Sequence, residues 1–265
     1  MLYYSGWLQK PNLSGYEIND SDKNGFMACC PKKNDREKGL DLILHTPGGD
    51  VAATESIIHY LYELYKGNIR AFIPQLAMSG GTLIATSCKE IVMGHQSSIG
   101  PIDPQINGIA AQSYLAEFER AHSEIKQDAN KFLLWQQIIG QIKPATLTIC
   151  QKAIEWSDEI LSESLKRVMF SDYNEDEQKA KIESARLLLS DQNISKAHNR
   201  HITRKQAQDA GLVVSALEDD NELQDLILTI HHLMGFTFQQ SPAIKIFANN
   251  QGAAYIVNIN QPFAV

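Results

Sequence analysis

Cysteine is scarce in this chain. Its 265 residues hold four, at Cys29, Cys30, Cys88 and Cys150, which supply neither a disulfide framework nor a CxxC pair. A reducing compartment is the simpler expectation. Long apolar runs are absent as well: no stretch of 18 consecutive apolar residues occurs, and the opening MLYYSGWLQKP lacks the basic start and continuous apolar core of a signal peptide. The expectation is a cytoplasmic protein, with peripheral membrane contact left open. Excess basic charge is also missing. With 24 Lys and Arg against 31 Asp and Glu, net −7, there is no global electrostatic attraction to nucleic acid, so none is expected as a partner.

What is present suits a globular chain. The 43% hydrophobic and 21% charged content exclude a fibrous or disordered chain, and the length suffices for one large core. The expectation is a single domain over residues 1–265, with 1–38 irregular and 110–200 mainly helical. Between Ser14 and Lys38, Asn, Asp, Lys, Gly and Pro interrupt any regular period, which predicts loops around a short strand.

Order begins after that stretch. Leu40–His45 reads as a buried strand feeding the glycine turn Thr46-Pro-Gly-Gly-Asp50. Val51–Tyr65 then carries apolar residues at helical spacing, closed by Gly67 as a C-cap. The pattern repeats: Ile69–Ile73 is a strand, Gly80-Gly81 opens a short apolar helix, and Ile91–Met93 is a third strand. Such alternation predicts right-handed crossovers and a largely parallel sheet. Ligands of these sheets sit at the C-terminal ends of the strands, where both glycine turns fall. Beyond Ala110 amphipathic helices dominate, followed by a Thr203-capped short helix ending at Gly211 and a terminal hairpin around Asn249-Asn-Gln-Gly252.

Ser79 stands between strand and helix in Ala77-Met-Ser-Gly-Gly81. A serine at a helix N-terminus lies among unpaired N–H groups, which suits a nucleophile whose adduct is an oxyanion; it also suits a simple N-cap. Gly48 and Gly49 of His45-Thr-Pro-Gly-Gly-Asp50 offer further backbone N–H groups for a carbonyl oxygen opposite Ser79. Neither turn matches GxGxxG, GxxxxGK[ST] or the GxSxG elbow, so no nucleotide cofactor is expected.

A serine needs a base. His45 and His95 are nearest in sequence, and Lys126 and Lys131 follow on the helical stretch; spacing does not choose among them. No metal is expected, because His198/His201 and His231/His232 form neither HExxH nor a Cys/His cluster.

The succession LILHTPGGD, IRAFIPQLAMSGGTLIATSCKEIVM and SSIGPIDPQI resembles the serine peptidases of the Clp/crotonase superfold. Most closely it resembles the serine dehydrogenase proteinase family, related to SppA-type signal peptide peptidases. The resemblance covers most of the chain from Leu40 onward. It implies an α/β fold, a Clp/crotonase-like core of repeated β-β-α units with a helix-rich C-terminal part.

Carried over by residue, the resemblance implies Ser79 as nucleophile, with Gly48, Gly49 and Gly80 at the oxyanion site. Where ClpP-type enzymes place their histidine this chain has Ile102-Asp103-Pro104, which favours a Ser-Lys dyad. SppA-type enzymes draw the base from a lysine close before an aspartate. Lys126-Gln-Asp128 is the nearest match and Lys131 the second choice.

The resulting expectation is a serine endopeptidase acting on a peptide or protein substrate, without cofactor, as a homo-oligomer. Two rivals stay open: a non-catalytic scaffold or peptide-binding subunit, and an acyl-thioester enzyme.

Overall fold

A computed structural model describes residues 1–31, 36–190 and 199–259. The chain forms two compact units, one of residues 1–102 and 161–265 and the other of residues 103–160.

The first unit is built on a seven-stranded sheet. Its strands are β1 (Leu2–Ser5), β2 (Leu40–His45), β3 (Ile69–Ile73), β5 (Glu90–Met93), β8 (Val214–Ala216), β9 (Ala243–Ala248) and β10 (Ala254–Asn258), in spatial order β8-β5-β3-β2-β1-β9-β10. The five strands from β8 to β1 run parallel, while β9 and β10 join antiparallel as the expected hairpin. In a smaller sheet β6 (Ser98–Ile99) lies between β4 (Leu76–Ala77) and β7 (Ile202–Thr203). The parallel strands are near-continuous apolar runs because helices cover both faces. Leu42, Leu44, Ala71, Ile91 and Met93 are wholly buried.

The helices of this unit are α1 (Asp22–Cys29), α2 (Val51–Tyr65), α3 (Gly80–Thr86), α4 (Glu175–Ser190), α5 (Arg204–Asp209) and α6 (Asn221–Gln240). α2 starts where Asp50 accepts the Ala53 N–H at 2.8 Å, and it buries Ile57, Ile58, Leu61 and Tyr65 along one stripe. Its C-cap differs from expectation: Lys66 itself adopts the left-handed conformation (φ 49°), with Gly67 following at φ 85°. α5 carries the expected Thr203 cap, completed as a capping box by Gln206. α6 packs Leu223 and Ile227 against Phe72, Val92 and Leu217.

The N-terminal stretch departs from the irregular reading. Residues 2–5 pair with both β2 and β9, and residues 22–29 form α1. The period was illegible because α1 is short and buries Asp22 and Gly25 beside Phe26 and Cys29. Gly25 is dictated by packing, since a Cβ there would lie 2.4 Å from the Phe247 ring.

In the second unit the hairpin Gln105–Ile106/Ile109–Ala110 precedes the helices Ala111–Gln127 and Phe132–Ile139, and most of the helix Thr146–Ser164 completes it.

Candidate functional site

Because β2, β3 and β5 run parallel, their C-terminal ends share one edge, and the two glycine turns meet there. The Gly81 N–H bonds the Met78 carbonyl at 2.8 Å, closing a tight turn over Met78–Gly81. Ser79 takes the second position of that turn with φ 49° and ψ −114°, the type II′ geometry that ordinarily calls for glycine. A Cβ in this region costs about 1–3 kcal/mol, which the surroundings must hold in place.

Those surroundings are glycines at close quarters. A Cβ on Gly48 would lie 2.7 Å from the Ser79 Cβ, one on Gly80 would lie 2.6 Å from Thr54 Oγ1, and one on Gly81 would lie 2.5 Å from Thr46 Cγ2. Thr82, one turn along α3 and fully buried, lies 2.9 Å from the Ala77 carbonyl and 2.8 Å from that of Gly100, and accepts the Gly100 N–H at 3.0 Å. Sequence reading missed Thr82 and Thr46; the one signal was a hydroxyl residue three positions after Ser79.

The crowding at Gly81 makes a prediction. Gly81→Ala gains about 1 kcal/mol of helix propensity but forces a methyl against Thr46, and overpacking of this kind costs about 1–3 kcal/mol. A net fall in the urea midpoint is expected, relieved by adding Thr46→Ser. Equal stability of Gly81→Ala and the parent would refute the packing argument.

The site is chemically open. Ser79 is half-buried and its Oγ has no hydrogen-bond partner among the described residues; Gly49 is exposed. The Gly48 N–H makes a 3.2 Å bond to Thr46 Oγ1. The Gly49 and Gly80 N–H groups find no acceptor among the described residues, and the Cβ position of Gly80 lies 3.5 Å from the Gly49 nitrogen. An unengaged hydroxyl on a strained turn, beside these two N–H donors, suits attack on a carbonyl and stabilisation of the resulting oxyanion.

His45, His95 and His231 are engaged with other groups. His45 is buried against Tyr4, Trp7 and His231, with ring centroids 5.1, 4.3 and 5.3 Å away, and its Nε2 meets Gln75 Oε1 at 3.3 Å. His95 is exposed beside Arg204 and Glu218. His198 lies outside the described residues; His201 and His232 are exposed.

Burial, with His231 nearby, pushes the His45 imidazole down to about 3. His231 is lowered by its own burial and by His232. An imidazole held neutral when folded takes up a proton on unfolding, so its contribution is complete above pH 6.5 and declines as pH falls toward 3. The expected loss is about 1.4 kcal/mol per pH unit in that window. Urea titrations at pH 7 and pH 5 check this, and His45→Phe should flatten the slope; an unchanged slope would refute the assignment.

Lys126 and Lys131 belong to the second unit. Lys126 is exposed in the last turn of the helix Ala111–Gln127. Lys131 Nζ lies 3.1 Å from Glu124 Oε2, and hydrogen bonds from Arg120, Lys131 and Trp135 hold that carboxyl down at about 2. No group of three or more His, Cys, Asp or Glu side chains suited to a metal occurs among the described residues.

A parallel sheet carrying paired glycine turns at its C-terminal edge marks the chain as a ClpP-like α/β protein. It belongs to the ClpP-like SDH-type serine proteinase family, whose model matches residues 6–236. Two proteins of Methanocaldococcus jannaschii are similar: the uncharacterized protein MJ1495, 36% identical over 127 residues and 48% of this chain, and the uncharacterized protein MJ0137, 34% identical over 110 residues and 41% of this chain. The matched stretch spans 38% of the length of either relative. Among solved structures the 1510-N membrane-bound stomatin-specific protease aligns over 78% of each chain, at 18% identity and TM-score 0.40.

Proposed function

We propose that the chain hydrolyses peptide bonds through an acyl-enzyme on Ser79, with a lysine as general base. The observation that carries this reading is the Ser79 hydroxyl, set on a strained turn and without a hydrogen-bond partner among the described residues, beside the Gly49 and Gly80 N–H groups, which find no acceptor among those residues. Ser79 Oγ attacks the scissile carbonyl carbon while its proton passes to the neutral lysine amine. The two N–H groups hold the oxyanion, the C–N bond breaks, and the departing amine takes the proton back. Water then attacks the ester and releases the acid.

One observation favours a lysine, and another chooses between the two. His45 and His95 are engaged with Gln75 and Glu218, and neither has a hydrogen bond to Ser79 among the described residues. Lys131 is committed to Glu124, whereas Lys126 has no partner among the described residues, which makes Lys126 the first choice. The reading includes self-association, supported by Phe132, Leu133 and Leu134, which are 52%, 70% and 57% exposed. Peripheral membrane contact belongs to it as an alternative use of that surface. No helix among the described residues is long and apolar enough to cross a membrane.

The test is labelling with a fluorophosphonate probe, read by intact mass and peptide mapping, beside Lys126→Ala and Lys131→Ala. Modification at Ser79 that is lost in one folded lysine variant supports the dyad and identifies its base. Absence of modification in every assembly state would sink the peptidase reading in favour of a scaffold.

A further inference from the structure

Lys245 interrupts the apolar strand Ala243–Ala248 and is fully buried. All three ammonium protons are used: Nζ donates to Asp22 Oδ1 at 2.7 Å, to Asp22 Oδ2 at 2.9 Å and to the Glu17 carbonyl at 2.6 Å. Asp22 also accepts the Tyr3 hydroxyl at 2.9 Å and the Asn19 N–H at 3.1 Å. A buried ion pair is a weak source of stability, because desolvation offsets most of its attraction. Its third contact is the informative one.

The Glu17 carbonyl shares a peptide plane with the Ile18 N–H, which donates to the Gly48 carbonyl at 2.8 Å. The Gly48 carbonyl in turn shares a plane with the Gly49 N–H, the free donor beside Ser79. The Ile18 carbonyl accepts the Asp50 N–H at 2.9 Å, so the 17–18 segment grips the turn on both sides of Gly49. The Ile18 nitrogen and carbonyl oxygen would lie 2.3 and 2.4 Å from a Cβ on Gly49, so only glycine admits this approach. Amide resonance couples each carbonyl to its own N–H, and hydrogen bonds in series polarise one another.

We propose that Lys245 is a positioning residue of the acyl-transfer site: its ammonium, relayed through the peptides 17–18 and 48–49, orients and polarises the Gly49 N–H as an oxyanion donor. This rests on the serine peptidase reading. Asp22 keeps the ammonium charged and aimed, against the downward pull of burial on the Lys245 amine.

The experiment compares the parent with the double variant Lys245→Met/Asp22→Asn, which removes both charges together and leaves no unpaired ion. The expected result is a folded protein whose maximal rate of fluorophosphonate modification falls about tenfold with probe affinity unchanged. The Gly49 amide proton is expected to move upfield. Because Gly48-Gly49 and Gly80-Gly81 are the only Gly-Gly pairs in the sequence, carbonyl-13C,15N-glycine labelling isolates the Gly49 and Gly81 amides. Tyr3→Phe is the structural control: it loosens Asp22 but spares the Lys245–Glu17 contact, so its labelling rate should match the parent.

If the double variant does not fold, Lys245→Gln/Asp22→Asn keeps neutral hydrogen bonds in place of the charges, and a smaller fall of the same kind is expected. An unchanged rate and an unmoved Gly49 amide in a folded double variant would overturn the relay, as would an equal loss of rate in Tyr3→Phe. A parent that never labels would instead overturn the peptidase reading, and the Gly49 amide shift would still decide the relay.

Discussion

Ser79→Gly is expected to abolish fluorophosphonate labelling and at the same time to yield a protein more stable than Ser79→Ala. The serine occupies a turn position at φ 49° and ψ −114° where a Cβ is strained, at a cost of about 1–3 kcal/mol. Alanine keeps the Cβ and the strain. Glycine removes both, while its extra freedom in the unfolded chain takes back about 0.5–1 kcal/mol. A net gain of about 1 kcal/mol over Ser79→Ala should remain, readable in urea unfolding. If Ser79→Gly is the less stable of the two, the turn is not under strain. If either variant still labels at this turn, Ser79 is not the nucleophile.

A second large effect is expected at Asp22. Asp22→Ala leaves the Lys245 ammonium buried without a counter-charge, and the Tyr3 hydroxyl and Asn19 N–H without their acceptor. Breaking one side of a buried pair costs about 3–5 kcal/mol, a large share of the roughly 5–15 kcal/mol that holds a typical domain together. A fall in Tm of about 6–20 °C is expected. The double variant Lys245→Met/Asp22→Asn should recover most of it, because no charge is then stranded. A single-variant loss below about 1 kcal/mol would show that water reaches the pair.

Ser79 and Asp22 stand at opposite ends of one chain of contacts. At one end the backbone of Ser79 is held in a conformation it would not choose; at the other a buried ion pair anchors the segment that grips the facing turn. Strain at the reacting group and rigidity behind it belong together, since a strained turn persists only where its neighbours leave it no alternative.

Much of this architecture was legible along the chain. Leu40–His45, Val51–Tyr65 and Ile69–Ile73 announce themselves by period and by the turn residues between them, and they formed with those boundaries. The glycine turns were legible because glycine next to glycine between a strand and a helix has few other uses. The N-terminal stretch was not, because Leu2–Ser5 is a strand only by virtue of partners some 40 and 240 residues away. Asp22 and Lys245 were equally hidden. A charge inside an apolar strand signals a buried partner, but 223 residues separate the two and no local pattern names one for the other.

The sequence by itself determined the parallel α/β core, the two glycine turns and the serine between strand and helix, because period and turn chemistry are local properties of the chain. Only the tertiary structure decided that Ser79 is strained, that the Gly49 and Gly80 N–H groups have no acceptor among the described residues, that His45 is sealed among aromatic rings, and that Lys245 reaches the peptide behind Gly49. Those outcomes depend on the packing of segments distant in sequence, where tenths of an ångström between a glycine and its neighbour separate a permitted approach from a forbidden one.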